Sequence, residues 1–482
     1  MLRAIYMRNR NYILKNGEKV LDLSHDIKLQ MFFNNIPLLE EACAKSRDKG
    51  ITPAMRSRFF SPDGREEFLE SLIDGSYRIA PPEEIYRDKV NDIPITYAQA
   101  VSRNFCEVRK LYKNTDFDRM VLICIYKVYY ALYEDRIHPC CMSYRKGMSA
   151  GKTARFLSKQ LSGFNKGHGY KIDISKFFDS VSKEALSRLL DQLDTGSLLD
   201  EVIRAYYMDD RAIVNGQLVE HYKSLAQGCA LGCLFADLIL SDVDRELSGM
   251  DIIYYRYSDD ILMIGRDADK ALAALKKMID IYGLKLNPKK VEKIHPHRWF
   301  TFLGYSFMDG KVSISAKKVR SIKIAVKQRT YCITRRKHRP ATVNEVKAMV
   351  RSLQDYFFTA FMDGENYGMA PILFSAVNVE ADLQEIDRYV KDCLRAAYTD
   401  RSEIYGIGFY PHADGVIVHS KGKNVGMNRI RTTGDDFLAG DLLRECGYVS
   451  LMHMYKSWLC GKEIYDSEVR RIKNHEFLDC VL

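Results

Sequence analysis

The order of apolar and polar positions predicts an alternation of short strands and helices through the middle of the chain. Short apolar, β-branched and aromatic runs that are bounded by turns or charges are typical of buried strands. Strands of this kind are predicted at 171–174, 252–258, 299–307 and 311–315. Apolar residues at helical spacing predict helices at 183–193, 230–247 and 270–283. The order strand, helix, helix, strand, helix, strand indicates an α+β fold with helices on one face of a sheet.

The remaining parts of the chain have a less regular pattern. Residues 1–100 are predicted to be mixed, with loops at 61–67 and 80–84, where Pro and Gly interrupt the periodicity. Residues 101–135 are predicted to be largely helical. After the last predicted strand, a mostly helical region is expected, of which 343–361 is an example.

The composition is that of a folded protein with an excess of positive charge. Of 482 residues, 46% are hydrophobic and 11% aromatic, and the formal net charge is +10. This length suggests about two to four domains, and the charge suits a polyanionic partner. The twelve cysteines include no CxxC pair, which argues against a structural zinc site and for reduced thiols. The first residues lack the apolar segment of a signal peptide, and the most apolar run, 121–133, is too short to cross a bilayer. A soluble, cytoplasmic protein without a membrane partner is therefore expected.

One segment has an unusual charge pattern. Residues 317–340 contain ten Lys or Arg residues and no acidic residue. A solvated basic helix is one interpretation. A surface that follows nucleic-acid phosphates is the other, because each neutralised phosphate releases counterions. The position of the segment, directly after the predicted strands, favours the second interpretation.

Carboxylates occur at two points where apolar strands are predicted. Asp259 and Asp260 stand between two apolar runs, which predicts a β-hairpin with carboxylates at its turn; an ordinary polar turn is the alternative. Asp173 lies within an apolar strand, where an uncompensated carboxylate is costly. If the strands are neighbours, Asp173 and Asp259 converge. Such carboxylates can hold two Mg²⁺ ions about 3.5–4 Å apart, the arrangement used in phosphoryl transfer.

Three further elements accompany the carboxylates. A Gln-Gly pair, Gln227 and Gly228, precedes a predicted helix and places a flexible backbone beside an amide side chain. Lys289 and Lys290 are candidate proton donors to a leaving pyrophosphate. The sequence FLGY at 302–305 predicts a tight turn between short strands.

In order and spacing, these five elements resemble the palm motifs A to E of reverse transcriptases, particularly the bacterial group that includes group II intron enzymes and retrons. The D-I-x-x-F-F-D motif is present from Asp173 to Asp179, and R-Y-x-D-D from Arg256 to Asp260. The segments at 108–121 and 143–149 resemble motifs of the fingers. The resemblance covers about residues 105–310.

The resemblance implies a right-hand polymerase, with fingers, a palm built on an antiparallel sheet, a helical thumb and a helical C-terminal extension. An N-terminal extension with the start of the fingers would cover 1–100, and the fingers 101–170. The palm would cover 171–310, with fingers elements interleaved. A basic thumb and the C-terminal helical region would cover 311–482.

The resemblance also implies the roles of the catalytic residues. Asp173 and Asp259 would bind the metal ions, the Ile174 carbonyl would complete a site, and Asp260 would be a supporting carboxylate. The cofactor would be two Mg²⁺ ions, with Mn²⁺ as a substitute. Lys290 would act on the leaving pyrophosphate.

The substrate contacts follow from the same resemblance. Phe178 would be the steric gate that stacks under the sugar and rejects a 2′-hydroxyl, which favours deoxynucleotides. Gln227 and Gly228 would line the nascent base pair. Arg109, Lys110 and Arg119 are candidates for gripping the triphosphate; surface cations are the alternative reading of these three residues.

The sequence departs from the family pattern at several positions. Gly232-Cys233 stands where Ser-Pro is usual, and Asp237 where Asn is common, which puts the template contacts in doubt. The chain has no recognisable H-N-H endonuclease segment and lacks the Val-Thr-Gly typical of retron enzymes. It is most similar to stand-alone bacterial reverse transcriptases linked to phage defence, which implies a cognate non-coding RNA as template, dNTPs as substrates and DNA as product. The sequence leaves a homo-oligomer open.

Two other functions remain open at this point. One is an RNA-binding scaffold that retains the polymerase fold, although three buried like charges would give a pure binder no advantage. The other is non-templated or protein-primed DNA synthesis by the same site, for which any of the 30 tyrosines or a serine could supply the hydroxyl.

Overall fold

The structure is a computed structural model. It describes residues 12–15, 18–21, 25–46, 50–89, 92–335, 341–359, 361–362, 365–366, 368–399 and 442–473. The end of the basic segment, 336–340, and positions 400–441 of the predicted C-terminal region lie outside the described residues. No helix in the described part of the chain is long and apolar enough to span a membrane.

The helices are numbered in chain order. They are α1 (Ile27–Asn34), α2 (Ile36–Ala44), α3 (Pro53–Phe60), α4 (Pro62–Ile73), α5 (Tyr97–Ser102), α6 (Asp116–Tyr133), α7 (Ala150–Leu161), α8 (Phe177–Ser180), α9 (Lys183–Leu193), α10 (Leu198–Met208), α11 (Ala230–Ile239), α12 (Ser241–Ser248), α13 (Ala268–Asp280), α14 (Ala316–Arg335), α15 (Val343–Gln354), α16 (Met369–Phe374), α17 (Ala381–Thr399), α18 (Leu451–Cys460) and α19 (Lys462–Lys473). Short 3₁₀ turns cover Glu134–Arg136 and Pro288–Lys290, and a π-helical turn covers Asp355–Thr359.

Within the described residues, the strands form five small sheets. They are β1 (Tyr12–Lys15), β2 (Glu18–Leu21), β3 (Glu83–Asp88), β4 (Pro94–Ile95), β5 (Val108–Lys113), β6 (His168–Asp173), β7 (Arg211–Val214), β8 (Gln217–Glu220), β9 (Ile252–Tyr257), β10 (Asp260–Gly265), β11 (Glu292–Ile294), β12 (Phe300–Phe302), β13 (Tyr305–Met308), β14 (Lys311–Ile314), β15 (Phe361–Met362) and β16 (Glu365–Asn366). The sheet that carries the predicted catalytic residues has the order β11-β6-β10-β9, with β11 antiparallel to β6. The other sheets are β1-β2, β12-β13-β14, β15-β16 and β4-β3-β7-β8, in which β5 also pairs with β3.

The chain divides into two compact units. The first comprises Met1–Lys146, Ile172–Ile261 and Asp269–Val291. Its long helix α6 begins at the cap Thr115, whose side chain accepts a hydrogen bond from the Asp118 N–H. Apolar residues on most of its faces are buried, because α1, α2 and α11 all pack against it.

The second unit comprises Gly147–Lys171, Leu262–Ala268 and Glu292–Leu482. It contains the antiparallel sheet β12-β13-β14 and a helical group in which α14 packs on α15 and α17. Buried Val319, Ile322 and Val326 form the inner face of α14, at the spacing expected of an amphipathic helix.

Most elements predicted through the middle of the chain are confirmed. The helix predicted at 183–193 has those bounds, and the helix predicted to end near Gly283 ends at Asp280, after which Gly283 has φ +74°. The mixed α and β content and the antiparallel strands are also confirmed. The assignment to fingers, palm and thumb, with the boundaries given above, stays a prediction.

One local prediction is wrong, and a second, that 101–135 is largely helical, is confirmed over α6 (Asp116–Tyr133) but not before it. The loop predicted at 61–67 is the start of α4, because the Ser61 side chain accepts from the Gly64 N–H and Pro62 occupies the first turn. The largely helical reading of 101–135 misses β5. That strand pairs with β3 over its full length, from Glu83 opposite Lys113 to Asp88 opposite Val108, so pairing with a distant strand decides its conformation.

Candidate active site

The predicted β-hairpin with carboxylates at its turn is confirmed. Strands β9 and β10 are neighbours and are joined by Ser258 and Asp259, while Asp260 begins β10. Ser258 has φ +58°, the left-handed conformation that a two-residue hairpin turn commonly requires. Asp259 is thus held at the tip of the hairpin, half-buried at the edge of the sheet.

The expected convergence of the two carboxylate strands is also confirmed. Asp173 is the last residue of β6, which lies beside β10 in the sheet. The Ile174 N–H donates a hydrogen bond of 3.1 Å to the Asp259 carbonyl oxygen. This bond fixes the end of β6 against the hairpin turn, and it brings both carboxylates to one place.

The two carboxylates influence each other electrostatically. Burial raises the pKa of the Asp259 carboxyl, and the negative charge of Asp173 raises it further, while Lys290 opposes the rise. A second carboxylate beside a half-buried one is unfavourable unless a cation compensates both.

One lysine already contacts the pair. Lys290 Nζ donates to Asp173 Oδ2 at 2.7 Å from the short 3₁₀ turn Pro288–Lys290. The Asn287 N–H donates to the Asp173 carbonyl oxygen at 3.2 Å, which ties this turn to the end of β6. The Lys290 side chain is 56% exposed, against 21% for Asp173, so its ammonium group also reaches solvent.

The donor set suits a hard divalent cation. Among the described residues, no group of three or more His, Cys, Asp or Glu side chains could hold a metal ion. Asp173 and Asp259 would supply two carboxylates to such an ion, and substrate phosphates and water would supply the other ligands, as is common for Mg²⁺. The raised pKa of Asp259 is the observation that fits such an ion, because a cation would relieve the repulsion that contributes to the rise.

Phe178 is bound to the loop that precedes α11. Phe178 is half-buried on the short helix α8, and its carbonyl oxygen accepts from the Leu225 N–H at 3.1 Å. The Ser224 hydroxyl donates to the Val181 carbonyl oxygen at 3.0 Å. These two bonds connect the D-I-x-x-F-F-D segment to the Gln-Gly loop.

The Gln-Gly loop has an unusual backbone. Ser224 and Ala226 have φ +49° and +51°, and Gly228 has φ +114°. The Gln227 carbonyl oxygen accepts from the Tyr112 N–H at 2.7 Å, and a Cβ on Gly228 would lie 2.8 Å from the Tyr112 carbonyl oxygen. Only glycine fits this approach, so Gln227 and Gly228 are held against the end of β5.

Lys110 lies in a small cluster of charged residues. Its Nζ atom is 3.2 Å from His221 Nε2 and 3.9 Å from both Glu84 Oε2 and Asp179 Oδ1. Burial raises the pKa of Asp179, and Lys110 lowers it. Lys110 is thereby placed beside the last residue of the D-I-x-x-F-F-D motif.

The other two predicted triphosphate contacts lie on different elements. Arg109 Nη1, on β5, is 4.0 Å from Asp92 Oδ1. Arg119 Nη2, on α6, is 2.6 Å from Asp116 Oδ1, one turn earlier on the same helix. The described contacts do not join either of these arginines to Asp173 or Asp259.

No role is predicted from the sequence for the buried arginine that precedes the Ser258–Asp259 turn. Arg256 is fully buried on β9, and its guanidinium group contacts the carboxylates of Asp237 and Asp244. The only signal in the sequence was its place in R-Y-x-D-D, because its partners are 19 and 12 residues away.

These features place two carboxylates side by side, one at the end of β6 and one in the turn of the neighbouring hairpin. Residues 112–307 match the family of reverse transcriptases, described as RNA-dependent DNA polymerases. The chain therefore contains a reverse transcriptase domain and is an RNA-directed DNA polymerase. The matched region includes the Asp173, Asp259 and Lys290 positions.

The other comparisons add little detail. No curated protein matches the chain in sequence. Among the solved structures that are similar is telomerase from Candida albicans in complex with the TWJ fragment of telomeric RNA. It has 11% identity and a TM-score of 0.38, with 88% of this chain and 72% of that chain covered. A likeness of this degree is distant.

Proposed function

We propose that the chain extends a DNA primer along an RNA template, with Asp173 and Asp259 holding two Mg²⁺ ions and Asp260 as a supporting carboxylate. One observation carries this proposal: the Ile174 N–H and the Asp259 carbonyl oxygen, 3.1 Å apart, bring the two carboxylate-bearing segments together. When bound, the ions supply charge stabilisation to the attacking and leaving oxygens.

In this mechanism, Lys290 protonates the leaving pyrophosphate. Its support is its position: the ammonium group is 2.7 Å from Asp173 Oδ2, yet the side chain is more than half exposed and can turn toward a bound phosphate. General acid catalysis of this kind contributes about 10²- to 10⁴-fold to a rate.

Phe178 acts as the steric gate, and Gln227 with Gly228 lines the nascent base pair. Two backbone hydrogen bonds, from the Leu225 N–H to the Phe178 carbonyl oxygen and from the Tyr112 N–H to the Gln227 carbonyl oxygen, support this assignment. They fix the positions of α8 and of the Gln-Gly loop relative to each other. A steric gate can reject a 2′-hydroxyl only if its backbone cannot move away from the sugar.

Lys110 is the favoured candidate among the three proposed triphosphate contacts. It lies beside Asp179, in the same motif as Asp173, and its ammonium group is partly exposed. Arg109 would have to leave Asp92 to reach a triphosphate, which costs little because exposed ion pairs are weak. Arg119, whose side chain is only 21% exposed, would have to leave Asp116.

Helix α14 follows the phosphates of the primer–template duplex. Lys317, Arg320 and Lys327 are exposed at helical spacing on the side opposite its buried face. Each phosphate contact made by such a side chain contributes to salt-dependent binding.

The biological setting that we propose is antiviral defence, with a dedicated non-coding RNA as template. This assignment rests on the resemblance to stand-alone bacterial enzymes. Sequencing of nucleic acid that copurifies with the wild type and with Asp259→Ala tests whether the template is a dedicated RNA. A defined RNA in both samples, with complementary DNA only in the wild type, is expected; random RNA in both would contradict a dedicated template.

Primer extension tests the polymerase activity. Wild-type protein with oligo(dT) on poly(rA), dTTP and Mg²⁺ should synthesise DNA, and Asp259→Asn should abolish synthesis. Asp242→Asn is the matched control, because Asp242 is 65% exposed and pairs with Arg245 on the surface. Equal activity of wild type and Asp259→Asn would overturn the assignment. Bound RNA without DNA synthesis would favour a scaffold, and DNA released only by protease would favour protein priming.

A further inference from the structure

The buried arginine before the catalytic turn has an extensive set of partners. Arg256 Nε is 2.8 Å from Asp244 Oδ1, and Arg256 Nη2 is 2.6 Å from Asp244 Oδ2, so this pair is bidentate. Nη2 also donates to the Asp237 carbonyl oxygen at 3.0 Å, and Nη1 lies 3.3 Å from Asp237 Oδ1. One side chain thus joins strand β9 to both α11 and α12.

The same residue contacts the catalytic turn itself. Arg256 Nη1 lies 3.4 Å from the Ser258 carbonyl oxygen, which is the acceptor immediately before Asp259. The Arg256 backbone is fixed as well, because its N–H donates to the Cys140 carbonyl oxygen at 3.0 Å and its carbonyl oxygen accepts from the Met142 N–H at 2.8 Å. The left-handed Ser258 is therefore held through both the main chain and the side chain of Arg256.

Burial makes this cluster unusual. Arg256, Asp237 and Asp244 are all fully buried, and the Tyr254 and Ser143 hydroxyls also donate to Asp244 Oδ1 and Asp237 Oδ1, respectively. A buried ion pair is weak evidence for stability, because apolar residues of similar volume often serve as well or better. What such a cluster provides is a fixed geometry with several directional bonds.

We propose that Arg256 is a positioning residue, which orients the Asp259 carboxylate for cation binding by holding the Ser258–Asp259 turn against α11 and α12. This inference rests on the proposed two-metal function. Arg256 touches neither substrate nor ion; it acts through the turn. Residues that orient metal ligands from outside commonly change metal affinity or activity about 10- to 100-fold when they are replaced.

The test uses two variants and a control with matched chemistry. Arg256→Lys keeps the charge but loses the planar fork, and Asp244→Asn weakens the bidentate pair. Asp200→Asn is the control, because Asp200 forms a buried ion pair with Lys28 in the same unit and has no described contact with the turn. A variant that fails to fold is recognised by circular dichroism, and the other variant then carries the test.

Two measurements are made well below each unfolding midpoint. Mn²⁺ is titrated calorimetrically into protein bound to dideoxy-terminated oligo(dT) on poly(rA) with dTTP, and kcat and KM for dTTP are measured by primer extension with Mg²⁺. We expect Arg256→Lys and Asp244→Asn to weaken Mn²⁺ binding and to lower kcat about 10-fold or more, with a smaller change in KM. Asp200→Asn should lower the unfolding midpoint but leave Mn²⁺ affinity within about 2-fold of the wild type.

The outcomes separate this inference from the proposed function. If the folded Arg256→Lys and Asp244→Asn proteins bind Mn²⁺ as Asp200→Asn does, the positioning role is overturned while the polymerase assignment stands. If Asp259→Asn binds Mn²⁺ as the wild type does, the two-metal site itself is wrong.

Discussion

Replacement of Lys290 by Met separates a surface ion pair from a catalytic group. The change keeps most of the aliphatic stem and removes the charge 2.7 Å from Asp173 Oδ2. Because Lys290 is 56% exposed, the pair should contribute about 0.2–1 kcal/mol to the free energy of unfolding. The thermal midpoint should therefore fall by no more than about 2–4 °C.

The expected effects on activity are larger than the effect on stability: kcat should fall, while Mg²⁺ should bind more tightly. Loss of a general acid should lower kcat by about 10²-fold or more. At the same time, removal of a positive charge about 5 Å from a divalent ion relieves roughly 1–2 kcal/mol of repulsion at a water-like dielectric constant. The Mg²⁺ concentration for half-maximal activity should thus fall up to about 10-fold, and less at high salt.

Steady-state primer extension over a series of Mg²⁺ concentrations measures both effects. Lys285→Met is the control, because Lys285 is an exposed lysine shortly before the 3₁₀ turn and has no proposed catalytic role. Unchanged kcat and an unchanged Mg²⁺ requirement in Lys290→Met would refute the reasoning. A lower kcat in both lysine variants would indicate general electrostatic attraction of the substrate instead.

Three further changes test the elements around the carboxylates. Phe178→Ala should lower the preference for dNTPs over rNTPs about 10- to 200-fold in kcat/KM, measured by competing the two in primer extension. Gly228→Ala should cost about 1–3 kcal/mol in urea unfolding, because its Cβ would meet the Tyr112 carbonyl oxygen at 2.8 Å; Gly216→Ala, also at positive φ but with open space, shows the backbone contribution alone. Burial raises the pKa of the Asp179 carboxyl above its value in the unfolded chain. The free energy of unfolding therefore falls as the pH rises from about 4 through the raised pKa. Asp179→Asn should therefore gain stability relative to the wild type over this pH range. The same difference in unfolding free energy between the two proteins at every pH, measured with urea, would contradict this.

The elements that the sequence predicts well are those with a strong local pattern. The helix at Lys183–Leu193 has five buried apolar residues at helical spacing and a Ser182 cap, so its bounds follow from local chemistry. The β9–β10 hairpin is equally local, because two apolar runs flank a short polar turn. Asp173 and Asp259 could be paired beforehand only by assuming that their strands are neighbours.

The elements that the sequence misses depend on distant partners or on a cap. Strand β5 is rich in charged residues and has a weak apolar pattern of its own; its conformation comes from pairing with β3. Helix α4 did carry a signal, since Ser61 followed by Pro62 is a common helix start, but the Pro-Asp-Gly sequence was interpreted as a turn. The positive φ angles of Ser224 and Ala226 have no signature in those residue types.

The partners of the buried aspartates explain why some carboxylates shape the fold while others offer a site. Asp237 and Asp244 share the guanidinium group of Arg256 deep in the first unit, where all three side chains are fully buried. Asp259 has a raised pKa because it is buried beside the carboxylate at the end of β6, and the lysine that contacts this pair, Lys290, is largely exposed. Asp173 and Asp259 are only half-buried, so the divalent cation that we propose could reach them, whereas Asp237 and Asp244 are fully buried. Asp173 and Asp259 lie in recognisable sequence motifs, whereas Asp244 lies in none; the exposure of each pair and the cation that it contacts separate the two groups.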